Sequence, residues 1–418
     1  MERYSEYKDS GVKWLGEIPS NWELRKMKYT FDERSQKGFP NEPLLAATQN
    51  HGVILKSQYE NRTVEAVKSL DTLKLVEIGD FVISLRSFQG GLEYAHNRGI
   101  ISPAYTILTP THIKASFFKH LSKSDIFISL LKSSVTGIRE GQNIDYNKLK
   151  ESLLPIPPEE EQNAMGLYLD AATSKIDKAI VMQQKMIDLL NERKQIIIQN
   201  AVTKGLDENV EMKDSGVEWI GMIPKHWGLY PLRKYLNVNS KRNMPNAQLL
   251  SVTREEGVIV RNTESKEENH NFIPDDLSNY KYVRKGQFVI NKMKSWQGSY
   301  GVSNFNGIVS PAYFVYDLNY PNTTYFSMAI RSKMFSPFFS KYSKGIRIDQ
   351  WDLVPEALKI IPFLEPPVEE QIEIVEYLGN LIPKIESKIS NCQRQITLLQ
   401  ERKQIIINEV VTGKVKVS

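Results

Sequence analysis

Two stretches of this chain, about 208 residues apart, repeat one another in order, and any fold must accommodate both. The first copy opens Lys8-Asp9-Ser10-Gly11-Val12 and reaches Ile18-Pro19-Ser20-Asn21-Trp22. The second opens Lys213-Asp214-Ser215-Gly216-Val217 and reaches Ile223-Pro224-Lys225-His226-Trp227. The match returns in mid-copy, Gly99-Ile100-Ile101-Ser102-Pro103-Ala104-Tyr105 against Gly307-Ile308-Val309-Ser310-Pro311-Ala312-Tyr313. It returns again at Glu192-Arg193-Lys194-Gln195 against Glu401-Arg402-Lys403-Gln404. Solenoid repeats run roughly 20–50 residues, so this period is a duplicated half-molecule. A duplicated chain suits a two-part target or two copies of one partner.

Each copy divides in two. Residues 1–155 and 206–361 alternate short β-branched and aromatic runs, such as Phe81-Val82-Ile83, Phe288-Val289-Ile290 and Ala312-Tyr313-Phe314-Val315-Tyr316, with Gly, Asn and Pro breaks. More helical stretches follow, Ser116 to Lys132 and Thr324 to Tyr342. The pattern predicts an α+β domain in each copy. Residues 156–205 and 362–418 then read as long helices, opened by Pro157-Pro158 and Pro366-Pro367 with acidic residues in the first turn. Apolar positions step by four and three through Leu169, Thr173, Ile176, Ile180, Gln183, Ile187, Leu190, Lys194, Ile197 and Ala201. The second copy matches with Leu378, Ile382, Ile385, Ile389, Cys392, Ile396, Leu399, Lys403, Ile406 and Val410. A seam held this long is a coiled-coil signature. Two such helices, each following an equivalent domain, pair most simply with each other as an antiparallel coiled coil that separates the two mixed α/β domains. Pro383 interrupts the second seam and predicts a break, with a short piece to Gly379 and a long one from about Ile382.

Chemistry is sparse. No phosphate-binding glycine loop, dinucleotide fingerprint, zinc-protease motif or nucleophile elbow occurs. The six histidines do not recur at equivalent places, and the single cysteine, Cys392, excludes a disulfide framework and a cysteine-rich zinc site. No apolar run of membrane-spanning length occurs and no signal segment opens the chain, so a cytoplasmic protein without membrane association is expected. The net charge of +5 permits nucleic-acid binding without requiring it.

What recurs is polar and set on loops. Arg86-Ser87-Phe88-Gln89-Gly90-Gly91 corresponds to Lys294-Ser295-Trp296-Gln297-Gly298-Ser299, with Lys292 just ahead of the second block. Arg or Lys with Gln is the chemistry that reads base edges. Thr136-Gly137-Ile138-Arg139-Glu140-Gly141-Gln142 corresponds to Lys344-Gly345-Ile346-Arg347-Ile348-Asp349-Gln350, a candidate phosphate-positioning turn. Thr48-Gln49-Asn50 corresponds to Thr253-Arg254-Glu255, and here the polar side chains differ on matching scaffolds, as they would if two halves read different sequences. The candidate DNA-binding residues are thus Thr48, Gln49, Asn50, Arg86, Ser87, Gln89, Arg139 and Gln142 in the first copy. In the second they are Thr253, Arg254, Lys292, Lys294, Ser295, Gln297, Arg347 and Gln350. A duplicated coiled-coil adaptor without DNA specificity is the alternative that the mild charge leaves open.

The repeated Lys-Asp-Ser-Gly-Val-x-Trp, Ser-Pro-Ala-Tyr and Pro-Pro-x-Glu-Glu-Gln blocks, with the helix ends Glu-Arg-Lys-Gln, resemble the specificity subunit of type I restriction–modification systems. The resemblance covers essentially the whole chain. It implies two target recognition domains, each reading one half of a bipartite sequence in double-stranded DNA, and an antiparallel helix pair that sets the spacer. It implies two methyltransferase subunits docking on this chain, restriction subunits in the full complex, and no catalysis or cofactor here, with S-adenosylmethionine and ATP on the partners.

Overall fold

A computed structural model describes residues 2–59, 70–84, 87–136, 143–263, 273–347 and 350–417. It falls into two compact units. Unit 1 is Met1–Gln184 with Gln393–Ser418, and unit 2 is Lys185–Cys392.

In unit 1 the opening motif is a hairpin, Tyr7–Asp9 against Glu17–Pro19. Asp9 Oδ1 accepts the Gly11 N–H and Ser10 Oγ the Val12 N–H, so the Asp-Ser-Gly residues build the turn. The hairpin delivers Trp22 into the core, fully buried. The main strands are β1 (Phe31–Arg34), β2 (Leu45–Thr48), β3 (Gly52–Leu55), β4 (Phe81–Ile83), β5 (Glu93–Tyr94) and β6 (Thr106–Pro110). They form an antiparallel sheet in the order β1-β6-β4-β5 and a separate β2–β3 hairpin. Helices α1 (Ala115–Leu121) and α2 (Asp125–Ser133) close one face. There the Phe118 ring lies 4.6 Å from Phe31, 4.8 Å from Phe81 and 5.5 Å from Phe127. The helical run breaks between α1 and α2 because Ser122 Oγ donates to Lys119 O and Ser124 Oγ takes the Phe127 N–H as an N-cap.

Unit 2 repeats this plan with β7 (Leu236–Asn239), β8 (Leu250–Thr253), β9 (Gly257–Val260), β10 (Phe288–Asn291), β11 (Tyr300–Val302) and β12 (Tyr313–Leu318). The sheet order is β7-β12-β10-β11, with β8–β9 as the separate hairpin. Helix α3 (Thr323–Ile330), capped by Asn322, covers it with Tyr325 and Phe326. The Ser-Pro-Ala-Tyr blocks are tight turns leading into β6 and β12, in which Tyr105 N–H and Tyr313 N–H donate to Ser102 O and Ser310 O.

The long helices run Glu159–Lys204 and Val368–Val411. Each follows a strand, Leu153–Ile156 or Pro362–Glu365, with the proline pair lying between the strand and the helix. The motif's residues fix the helix start. The Gln162 and Gln371 side-chain amides donate to Pro157 O and Pro366 O, each at 2.8 Å, while Glu161 and Glu370 accept the indole N–H of Trp22 and Trp227 at 3.0 and 2.8 Å. Every seam position of the sequence pattern is buried or half-buried in its helix. The expected break at Pro383 is absent, and the second helix is continuous through it. Pro383 is exposed, and the carbonyl its ring faces belongs to Gly379, which has no side chain to restrain the tilt. Ile382 and Ile385 hold the seam on either side of it.

Each unit contains parts of both long helices. In unit 1 Lys403 Nζ bonds Asp177 at 2.7 Å, and Met165, Leu169, Ile407, Val410 and Val411 share one core. In unit 2 Lys194 Nζ bonds Glu386 at 3.1 Å, and Gly205 lies beside Glu370. Rising numbers on one helix meet falling numbers on the other, so the pairing is antiparallel in each unit.

The cores differ in tyrosine. In unit 2, burial pushes up the phenols of Tyr235, Tyr300, Tyr313, Tyr316, Tyr320 and Tyr325. In unit 1 it raises those of Tyr4 and Tyr146. The unfolded chain ionises near pH 10 while the folded phenols stay neutral, so the stability is whole below pH 10 and is lost above it. Each tyrosine kept neutral costs about 1.4 kcal/mol per pH unit above that point. Unit 2 is expected to unfold first between about pH 10 and 12. Hydrogen exchange combined with tyrosinate absorbance checks this, and earlier opening of unit 1 would contradict it.

Candidate nucleic-acid interface

The structure brings two of the three recurring segments together in each unit. In unit 1 the β2–β3 turn is closed by Thr48, whose Oγ1 donates to Gly52 O at 3.0 Å and accepts the His51 N–H at 3.1 Å. Gly52 takes the left-handed φ of 68° that ends such a turn. Gln49 and Asn50 stand exposed at the tip. Ser87–Gly90, a single helical turn after β4, lies beside it. Gln49 Nε2 donates to Gln89 Oε1 at 3.3 Å, and a Cβ on Gly90 would stand 3.4 Å from the Gln49 side chain.

In unit 2 Thr253 performs the same closure, donating to Gly257 O at 3.4 Å and accepting the Glu256 N–H at 3.2 Å. The exposed tip here is Arg254 and Glu255. It sits beside the loop at Ser295–Gln297, with the Arg254 Cγ 3.8 Å from where a Cβ on Gly298 would be. The strand Gln350–Leu353, which begins at the end of the third segment, packs on this loop. The Trp296 and Trp351 rings lie 5.0 Å apart, and Lys292 Nζ donates to Asp352 Oδ2 at 2.9 Å.

The candidate residues therefore separate by role. Gln49, Asn50, Gln89, Arg254 and Lys294 offer polar groups to solvent, and Gln297 is half-buried. Thr48 and Thr253 shape the turns. Ser87 and Ser295 are fully buried; Ser87 Oγ accepts the Ser84 N–H and Ser295 Oγ donates to Lys292 O, so both build the loop. Arg347 and Gln350 face each other as strand partners, placed by backbone alone. Arg86, Arg139 and Gln142 lie outside the described residues.

Sequence reasoning missed two cations behind the tips, Lys123 and Arg331, because neither belongs to a repeated motif. Their only signal was a basic residue at one offset past each helix start, Lys114 and Asn322. Lys123 ion-pairs with Glu93, whose carboxylate is 1% exposed. Burial raises the Glu93 carboxyl above its ordinary range, and Lys123 opposes that rise. Among the described residues the histidines assemble nothing in common. His120 bonds Asp170 at 2.8 Å, and His226 contacts Glu370. Among the described residues no group of three or more His, Cys, Asp or Glu could hold a metal ion, and no helix is long and apolar enough to cross a membrane. The site can present hydrogen-bonding and cationic side chains on two equivalent frames; among the described residues no acid–base or nucleophilic set accompanies them.

No family model matches the chain. It is 24% identical, over 98% of its own length and 98% of the relative's, to a Methanocaldococcus jannaschii protein named for the specificity subunit of the type I restriction enzyme MjaX. It is 23% identical over 69% of its length, and 64% of the relative's, to the EcoKI specificity subunit of Escherichia coli K12. Among solved structures, a chain from a type I restriction–modification system superposes with a TM-score of 0.69 at 14% identity, covering 95% of this chain and 99% of that one. The HsdS subunit of Thermoanaerobacter tengcongensis gives 0.50 at 14% identity, over 97% and 100%. These two likenesses speak for the fold: two mixed α/β domains joined by long helices. In sequence over as much as 98% of its length, and in fold, the chain is thus similar to specificity subunits of type I restriction–modification systems.

Proposed function

We propose that this chain reads a bipartite DNA sequence, one half through each unit, and positions two adenine methyltransferase subunits on it. The carrying observation is that one pair of loops is built twice on the same topology, with Gln49, Asn50 and Gln89 displayed by one copy and Arg254, Glu255 and Lys294 by the other. A common frame suits a common partner, and different tips suit different half-sites. The recognition domains are residues 1–155 and 206–361, and the spacer helices 156–205 and 362–418. Arg and Lys address guanine O6 and N7, and Gln and Asn address adenine N6 and N7. Arg139 and Arg347, in the third segments, serve phosphate contact and give the binding its salt dependence. As a specificity subunit the chain does no catalysis of its own. S-adenosylmethionine and ATP bind partner subunits, restriction subunits complete the assembly, and the complex works in the cytoplasm.

The test is a map of methylated adenines in cells that carry the chain with its methyltransferase. A two-part motif is expected, lost when this chain is deleted; methylation without a sequence motif sinks the reading. Arg254→Ala with Lys294→Ala is expected to relax only one half of the motif, weakening discrimination there roughly 10- to 100-fold. Gln49→Ala with Gln89→Ala is expected to relax only the other. Relaxation of the same half by both pairs would contradict the assignment of one half per unit.

A further inference from the structure

At the end of α1 in unit 1 and of α3 in unit 2 stands a cation that turns back toward the paired loops. Lys123 Nζ donates to Gln49 O at 3.2 Å, Gly90 O at 2.8 Å and Glu93 Oε2 at 2.8 Å. Arg331 Nη1 donates to Tyr300 O at 2.7 Å, and its Nη2 donates to Arg254 O at 3.1 Å and Glu255 O at 2.6 Å. In each unit a single side chain ties the hairpin tip to the segment that follows the glycine-containing loop. We propose that Lys123 and Arg331 are positioning residues for sequence reading: each locks its hairpin tip against the neighbouring loop and so sets where the reading side chains stand. This rests on the proposal that the tips contact DNA.

The physical case has three parts. A three-residue hairpin tip held by one strand pair is free to rock, and side chains that read bases need placement to about 0.5 Å. Charge-assisted hydrogen bonds are the stronger kind, and these reach the tip's own carbonyls, so they restrain the backbone without using the tip side chains as partners. The two units also reach the same end with matched but different parts. Unit 1 sets Lys123 against the buried carboxylate of Glu93. Unit 2 has Gly301 at the corresponding place in its sheet, and the Arg331 side chain fills the room: its Cδ is 3.7 Å from where a Cβ on Gly301 would stand, and its Nη1 is 2.8 Å from where one on Gly257 would stand. A fork with several donors needs no carboxylate there, whereas a single ammonium leaves space for one. Two different solutions to one restraint argue that the restraint itself is what the fold requires at the tips.

The experiment uses the full chain with its methyltransferase and reads the methylated-adenine motif. Lys123→Met is expected to lower discrimination in the half-site of unit 1 about tenfold while the half-site of unit 2 keeps its motif. Arg331→Met should do the reverse. Glu93→Gly combined with Lys123→Arg, which installs the unit 2 arrangement in unit 1, is expected to restore the first half. Where Lys123→Met prevents assembly, Glu93→Gln is read in the same way, a partial loss confined to the first half being the expected result. An unchanged motif in these variants, a loss spread equally over both halves, or failure of the transplanted pair to restore discrimination overturns the proposal. Absence of any motif with the unaltered chain overturns the DNA reading itself, which is a separate outcome.

Discussion

Removing residues 407–417 should unfold unit 1 and leave unit 2 standing. The excised segment carries Ile407, Val410, Val411 and Val417, which are 3%, 1%, 0% and 8% exposed within the core that holds Trp22 and Phe127. Burying an aliphatic side chain of this size contributes about 1.5–3 kcal/mol, so the four together contribute roughly 6–12 kcal/mol. That matches the whole stability of an ordinary domain, about 5–15 kcal/mol. Polar ties go with them. Asn408 exchanges two hydrogen bonds with Asp125 at the start of α2, Tyr7 Oη donates to Gly413 O at 3.1 Å, and Glu2 bridges to Lys416. Hydrogen exchange on the shortened chain decides the matter. Protection lost across residues 31–133 and kept across 236–358 is the expected pattern, whereas unit 1 amides as slow as in the full chain would show that the segment is an ornament. In unit 2 the corresponding work is done from within the chain, by Ala201 and Val202 of the first long helix.

That arrangement marks the limit of what the sequence makes legible. The 4-3 pattern identifies both seams position by position, because periodicity reports directly which face of a helix is buried. The proline pairs locate both helix starts, and the strands at Phe81 and Phe288 fall where β-branched and aromatic runs place them. Pattern alone does not say whose core a seam covers. The natural reading gives each helix to the domain before it, yet the contacts divide the helices near Gln184 and Cys392 and give the end of each to the other unit. Pro383 misleads for a related reason. The penalty of a helical proline depends on what stands at its carbonyl clash and on what holds the flanking turns, and Gly379, Ile382 and Ile385 are informative only once the helix is known to be packed. At the candidate interface the sequence singles out loops through their recurrence, but it does not separate exposed Gln89 from buried Ser87, or exposed Arg254 from Thr253. Display and burial alternate within one turn of chain, and only the fold decides between them. Lys123 and Arg331 escape because most of their partners are backbone carbonyls, which no residue pattern encodes.

The recurring Trp that closes each opening motif should carry the second large effect. Trp227 is 1% exposed, donates its indole N–H to Glu370 Oε2 at 2.8 Å and lies 3.3 Å from the position of a Cβ on Gly205. It therefore joins three things at one point: the opening hairpin, the first turn of the second long helix and the last residues of the first. Trp227→Ala is expected to destabilise unit 2 by about 3–5 kcal/mol from lost burial and the cavity left behind. The orphaned Glu370 adds little, since its side chain remains 32% exposed and can turn to water. Trp227→Phe separates the two contributions, because it keeps most of the volume and removes the donor; a loss of about 1 kcal/mol beyond the volume change is expected for the hydrogen bond. Trp22→Ala should do the same to unit 1, where the indole N–H meets Glu161 at 3.0 Å and the ring packs on the Gly413 end of the other helix. Denaturant unfolding followed by hydrogen exchange in each unit measures both. If either alanine variant weakens the two units equally, the Trp–Glu contacts do not act locally. If neither costs more than about 1 kcal/mol, burial at these positions is not what holds the helix starts to their domains.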